Sequence, residues 1–100
     1  MALLTEPEID ERLRGLSGWT REGQQIRKQF AFASFPDAIA FLTRLAFDAE
    51  QVDHHPDVTV NYRRVTLVYS THSEHGLTAK DFDGAATADR VAAAGFAARS

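Results

Sequence analysis

The sequence predicts an α+β domain, a four-stranded antiparallel sheet with three helices packed on one face in the order α-β-β-α-β-β-α. Two observations predict it. Apolar residues recur at helical spacing in three segments and alternate in the segments between them. Those alternating segments come as two hairpins rather than as βαβ crossovers, which favours antiparallel pairing. With 100 residues the chain can bury one core but not two, and no linker, repeat or low-complexity stretch divides it. Residues 1–100 are expected to form one domain.

Thr5 followed by Glu8 is a capping-box pattern, and Ile9, Leu13 and Leu16 then share a helical face until Gly15 and Gly18 end the helix. Trp19 to Arg21 and Gln25 to Phe32 read as strands around Glu22-Gly23-Gln24. Ile26, Phe30 and Phe32 share a face of the second, although Lys28 interrupts the alternation. Trp19, at a helix-to-strand junction, is expected in the core. Ser34 is placed to cap the next helix, with Pro36 and Asp37 in its first turn and Ala38, Phe41, Leu42, Leu45, Ala46, Ala49 and Val52 on one face. Pro56 disfavours helical geometry at His55, so the helix is expected to run no further than His54.

Asp57 to Tyr62 and Val65 to Ser70 read as a hairpin. A two-residue turn at Arg63-Arg64 would set Tyr62 against Val65, Val60 against Leu67, Val58 against Tyr69 and His72 against His55. That dipeptide is poor chemistry for a primed turn, so a different turn would change the register. Thr78 caps the last helix, with Asp81 at its third position and Phe82, Ala85, Ala86, Ala92, Ala93 and Phe96 as its packing face.

Composition narrows the function classes. With 44% hydrophobic and 25% charged residues the composition is ordinary for a soluble globular protein and too apolar for a disordered one. A net charge of -3 gives no reason to expect nucleic-acid or bilayer binding. Apolar runs fall short of the ~20 residues of a membrane span. The start lacks the basic and apolar stretches of a signal peptide, so a cytoplasmic location is expected. The absence of cysteine excludes disulfides, a thiol nucleophile and thiolate metal sites. Neither a nucleophile-elbow serine nor a phosphate- or dinucleotide-binding glycine loop occurs.

The chemistry concentrates in histidine. His54, His55, His72 and His75 are all the histidines of the chain, and Glu50, Asp53 and Asp81 accompany them. Imidazoles titrate near neutrality, so a group of them can supply an acid and a base together. Glu50 lies four residues before His54 and is expected to orient it. A metal site is the alternative, with His72-x-x-His75 as a usable spacing. Against it, adjacent His54 and His55 would point apart, and no HExxH pattern occurs. Asp81 is also explained as a helix-start carboxylate, Asp53 as a helix-end residue, Glu50 as a solvated side chain, and Ser70 and Thr71 as strand-edge residues.

Ala49-Glu-Gln-Val-Asp-His-His-Pro56, Tyr62-x-x-Val65, Ser70-Thr-His72 and Gly76-Leu-Thr-x-x-Asp81 together resemble the pterin-4a-carbinolamine dehydratase family. Gly18-Trp19 and Lys28-Gln-Phe30-x-Phe32 extend the resemblance upstream, over roughly residues 10–95. The resemblance implies the same sheet-and-helix fold, assembled as a homodimer or homotetramer. It implies a lyase that dehydrates 4a-hydroxy-tetrahydropterin to quinonoid dihydropterin, for which the pterin is substrate and no cofactor or metal is needed. His54, His55 and His72 correspond to the family's catalytic histidines; Asp53 to His55 and Ser70 to His72 correspond to pterin contacts; Glu50, Asp53 and Asp81 correspond to its acidic positions. We expect His54 to be the principal acid/base, His72 its complement and His55 the holder of the substrate hydroxyl. His75 has no catalytic counterpart, and Arg63 stands where the family often has asparagine. An aromatic amino-acid hydroxylase is a possible partner. The resemblance also leaves open a non-catalytic alternative, since members serve as a transcription-factor dimerisation cofactor or a carboxylase assembly factor.

Overall fold

The first helix, α1 (Glu6–Arg14), begins where Thr5 and Glu8 exchange hydrogen bonds in the capping box, and Gly15 ends it. The computed structural model describes residues 2–94. The chain continues through β1 (Thr20–Glu22), β2 (Gln25–Ala31), α2 (Phe35–Gln51), β3 (Asp57–Asn61), β4 (Arg64–Tyr69) and α3 (Ala79–Ala93). This is the predicted element order, and the strands form one antiparallel sheet in the order β1-β2-β4-β3.

One face of β2 and β4 supplies Ile26, Phe30, Val65, Leu67 and Tyr69 to the core. Ile9 of α1, Phe41 and Leu45 of α2, and Phe82, Ala85 and Ala88 of α3 meet them there. Trp19 is buried, as expected, and donates through Nε1 to Asp89 at 3.1 Å. Lys28, opposite Leu67 on the core side of β2, resolves its apparent interruption of the pattern. Its stem runs along the apolar face while the ammonium reaches Asp89 at 2.8 Å and the Ser17 carbonyl at 2.9 Å.

Three expectations are corrected and one boundary is sharpened. The β3–β4 turn is Tyr62-Arg63, not Arg63-Arg64, with Tyr62 at φ +55°. Asn61 therefore faces Arg64, Val60 faces Val65 and Val58 faces Leu67. The register moves by two residues in sum, so each side chain keeps its face, but His72 is no longer set against His55. Arg63 instead donates to the Phe32 carbonyl at 2.8 Å.

The end of α2 lies within the expected limit of His54 but is set by another device. Asp53 adopts φ +53°, its N–H donates to the Glu50 carbonyl at 3.2 Å, and the His54 N–H donates to that of Ala49 at 3.1 Å. This is a Schellman closure with aspartate where glycine is usual, and it stops the helix at Gln51, before Pro56 acts. Second, part of the predicted α2 stripe is not buried: Ala46 and Val52 are exposed and Leu42 only half-buried. Finally, α3 packs through Phe82, Ala85, Ala88, Val91 and Ala92, leaving Ala86 half-buried and Ala93 exposed. Phe96 lies outside the described residues.

Gly84 sets the distance between α3 and the sheet. A β-carbon there would stand 2.6 Å from the Tyr69 ring, which packs against Trp19 and His54. Gly84→Ala should gain about 1 kcal/mol of helix propensity but force a buried aromatic aside at about 1–3 kcal/mol. We expect a net loss of stability, read as a lower urea midpoint.

Candidate active site

The Schellman closure lifts the chain off α2, so His54 and His55 stand on a short extended link before β3 rather than on a helix. Across from them, the chain leaving β4 closes a tight loop in which Thr71 and Gly76 exchange backbone hydrogen bonds at 2.9 and 3.3 Å. A 3₁₀ turn at His72–Glu74 occupies this loop, and His75 completes it with φ +59°. His75 thus shapes the loop.

These two segments face each other across a polar cleft of about 480 Å³. Asp53, His54, His55, Ser70, Thr71 and His72 all line it, together with Lys80 at the start of α3. His75 does not. The proximity expected from a continuous hairpin is reached by a different route, since His72 belongs to the 3₁₀ turn rather than to a strand.

Neither Glu50 nor Asp81 lines the cleft, and the histidine each contacts differs from expectation. Glu50 contacts His55 Nε2 at 2.8 Å, not His54. The helix has ended before His54, so the four-residue helical relation no longer holds. His54 Nε2 instead contacts Asp81 Oδ1 at 2.7 Å. The Glu50–His55 pair is solvent-exposed and contributes little to stability. Asp81 is 0% exposed, which makes its pairing obligatory.

Counting donors fixes the state of that pair. Asp81 Oδ2 accepts the Thr71 hydroxyl at 2.8 Å and the Thr78 backbone N–H at 2.9 Å. The single Thr71 proton is thereby used, so at the 2.8 Å contact between the two hydroxyls Thr78 must donate to Thr71. Thr78 Oγ1 accepts in turn from the Lys80 N–H at 3.3 Å. The Thr71 hydroxyl and the Thr78 N–H thus both donate to one carboxylate at the N-terminus of α3, and the Thr78 hydroxyl and the Lys80 N–H extend the chain behind them. A charged Asp81 requires a proton on His54 Nε2, so neutral His54 keeps its lone pair on Nδ1. Asp81 is therefore both the capping-box residue the sequence indicates and the group that holds His54.

Two hydroxyls of the cleft are also committed. The Ser70 hydroxyl donates to the Gln24 carbonyl at 2.9 Å, and the Thr71 hydroxyl is turned inward to Asp81. Thr71 thus bears on the cleft through Asp81 and His54. Sequence reasoning missed Lys80 in the cleft wall and Thr78 behind it; Thr78 was legible only as a helix cap. Among the described residues, no group of three or more His, Cys, Asp or Glu side chains is arranged to hold a metal ion. No helix among them is long and apolar enough to cross a membrane.

The family described as Pterin 4 alpha carbinolamine dehydratase matches residues 2–91. A protein of Roseiflexus castenholzii, provisionally named pterin-4-alpha-carbinolamine dehydratase, is 56% identical over 90 residues, covering 90% of this chain and 97% of its own. A protein of Mycobacteroides abscessus with the same provisional name is 52% identical over 89 residues, covering 89% and 95%. Among solved structures, a transcriptional coactivator/pterin dehydratase from Brucella melitensis superposes with a TM-score of 0.88 at 38% identity, covering 91% of this chain and 99% of that one. A pterin dehydratase-like protein identified as a RuBisCO assembly factor in the alpha-carboxysome gives a TM-score of 0.66 at 27% identity, covering 75% and 89%. With a histidine-lined cleft between α2 and β4 and a family match running through nearly all of its described residues, the chain belongs to the pterin-4-alpha-carbinolamine dehydratase family.

Proposed function

We propose that this protein is a lyase that dehydrates 4a-hydroxy-tetrahydropterin to quinonoid dihydropterin, by acid/base catalysis at histidine without a metal. The observation that carries the reading is His54 at the polar cleft, backed by a fully buried Asp81, with His55 and His72 lining the same cleft. The reaction breaks the C4a–O bond. The ring nitrogen beside that carbon supplies the electron pair, a proton goes to the departing oxygen to form water, and the proton on the nitrogen is removed. One group must give a proton and another take one, which imidazoles do near neutral pH.

His54 exchanges its proton at Nδ1 as principal acid/base, while Asp81 holds Nε2–H and stabilises the imidazolium. His72 is its complement on the opposite wall, and His55 holds the substrate hydroxyl with Glu50 steadying its ring. Asp53, Ser70 and Thr71 complete the pterin site. The test is an absorbance assay of freshly generated 4a-hydroxy-tetrahydropterin with and without the protein, repeated in excess chelator. Unchanged decay on adding protein would refute the activity, and loss of activity on chelation would refute the metal-free mechanism.

We also infer self-association, as a homodimer or homotetramer. The outer face of α2 exposes Phe35, Ile39 and Phe47, and the edge strand β3 exposes Val58 and Val60 beside it. Exposed apolar surface of this kind marks an association face. Phe47 is 72% exposed, so Phe47→Glu should leave the fold intact and shift the mass measured by light scattering toward the monomer. The same face gives a binding or assembly role its surface, and the carboxysomal relative is named for such a role. An inactive His54 variant that still captured a partner would show that role to be independent of turnover. We place the protein in the cytoplasm, where an aromatic amino-acid hydroxylase would supply the substrate and is the partner we propose.

A further inference from the structure

We propose that Leu3 and Leu4, closing with Gln24 on Gly76, form a clamp that positions His72 at the catalytic cleft; this rests on the dehydratase reading and assigns positioning residues to it. The loop that carries His72 has little to hold its shape from within. Thr71 and Gly76 close it, the Glu74 N–H donates to the Thr71 carbonyl at 3.0 Å, and the His75 N–H donates to that of His72 at 3.1 Å. His72, Ser73 and His75 are exposed and bury little surface. A short exposed loop of this kind opens at low free energy unless it is tied at its ends.

The ties come from two segments distant in sequence. The Leu4 N–H donates to the Leu77 carbonyl at 2.9 Å, one residue past the loop. The Ser70 hydroxyl donates to the Gln24 carbonyl at 2.9 Å, one residue before it. Gly76 is buried, and a β-carbon on it would stand 2.9 Å from Leu3 Cδ2 and 3.2 Å from Gln24 Oε1. It is not one of the glycines with positive φ, so what it supplies is space for those two side chains.

The two tying segments are themselves joined. Gln24 follows Gly23 in the β1–β2 turn, and Arg21 Nε donates to the Gly23 carbonyl at 2.8 Å. The same guanidinium grips both carboxylate oxygens of Glu6, at 2.6 and 3.1 Å, in the first turn of α1 just after Leu4. Leu3, Leu4, Gln24 and Gly76 do not line the cleft, so they bear on it through the loop. Of the loop residues at the cleft, Thr71 is held separately by Asp81. His54 is also held by Asp81, and His55 stands on the link before β3. His72 is therefore the histidine whose place depends on the clamp. Misplacing a reacting group by ~1 Å can cost ~10²-fold in rate.

The test uses two proteins. Leu3→Ala/Gln24→Ala removes both side chains from Gly76 and leaves the backbone hydrogen bonds intact; Gly76→Ala drives the same side chains apart with a methyl group. Leu3 is 51% exposed and Gln24 is exposed, and the displaced atoms are the free ends of flexible side chains, so a cooperative urea transition should persist in both. Hydrogen exchange of the His75 and Gly76 amides should quicken by at least about 3-fold. The kcat for dehydration should fall by about 3- to 10-fold with KM little changed. The ¹⁵N spectrum of His54 should keep its wild-type signature, and Leu3→Met, which retains the contact, should match the wild type. Unchanged exchange or unchanged kcat in both proteins would overturn the inference and leave the clamp a contact of the fold alone. A loss of kcat with an altered His54 spectrum would overturn it too, since the defect would not be confined to His72. Wild-type protein that failed to accelerate dehydration would remove the dehydratase reading, and this inference with it.

Discussion

His54→Ala is expected to lower the dehydration rate by ~10²–10⁴-fold, the range of one positioned acid or base, while the protein remains folded. The imidazole has only 11% of its surface exposed and is clamped at Nε2 by Asp81, so no neighbour can take its position. His55 is tied to Glu50 on the exposed side, and His72 stands on a separate loop. Truncation leaves Asp81 Oδ1 without its donor, at about 1–3 kcal/mol. Oδ2 keeps both of its donors, and the space vacated by the ring admits water to the carboxylate. That loss is smaller than the ~5–15 kcal/mol stability of an ordinary domain, so a cooperative urea transition should persist. His72→Ala should lower the rate over a similar range at less cost in stability, since His72 is exposed. Near-normal turnover in both variants would remove the proposed mechanism.

The fold was legible in the sequence where local chemistry decides it. Thr5 with Glu8, Ser34 with Asp37, and Thr78 with Asp81 mark helix starts because capping needs those oxygens at those spacings. Tertiary context decided the rest. Asp53 takes a left-handed conformation that glycine would have signalled, so Pro56 limited α2 to His54 without showing that it stops at Gln51, and Glu50 was paired with the wrong histidine. The turn residue Tyr62 was hidden for the same reason, and the hairpin register with it. Alternation still gave the correct faces, because a shift of two in sum preserves parity. The residues of the cleft could be named from the sequence, but the Asp81–His54 contact links positions 27 apart and no local spacing announces it.

Asp81→Asn isolates that contact more sharply than truncation, because it keeps the volume and removes the charge. The amide offers one oxygen and one NH₂ where the carboxylate has two acceptors. If the NH₂ faced Thr71 and Thr78, buried donors would meet a hydroxyl and an N–H that are themselves donors to this site. The oxygen should therefore stay with that pair and the NH₂ should turn to His54 Nε2. Nε2 must then accept, so the imidazole proton moves to Nδ1 and the lone pair leaves the nitrogen that we assign to proton exchange. The charge that stabilises the imidazolium disappears as well. We expect a rate loss of ~10²–10⁴-fold with a stability loss of about 1–3 kcal/mol. The decisive measurement is the ¹⁵N spectrum of His54, which should report Nε2–H in the wild type and Nδ1–H in the variant. A variant with the Nε2–H tautomer and normal turnover would separate Asp81 from the chemistry and leave it only its role at the start of α3.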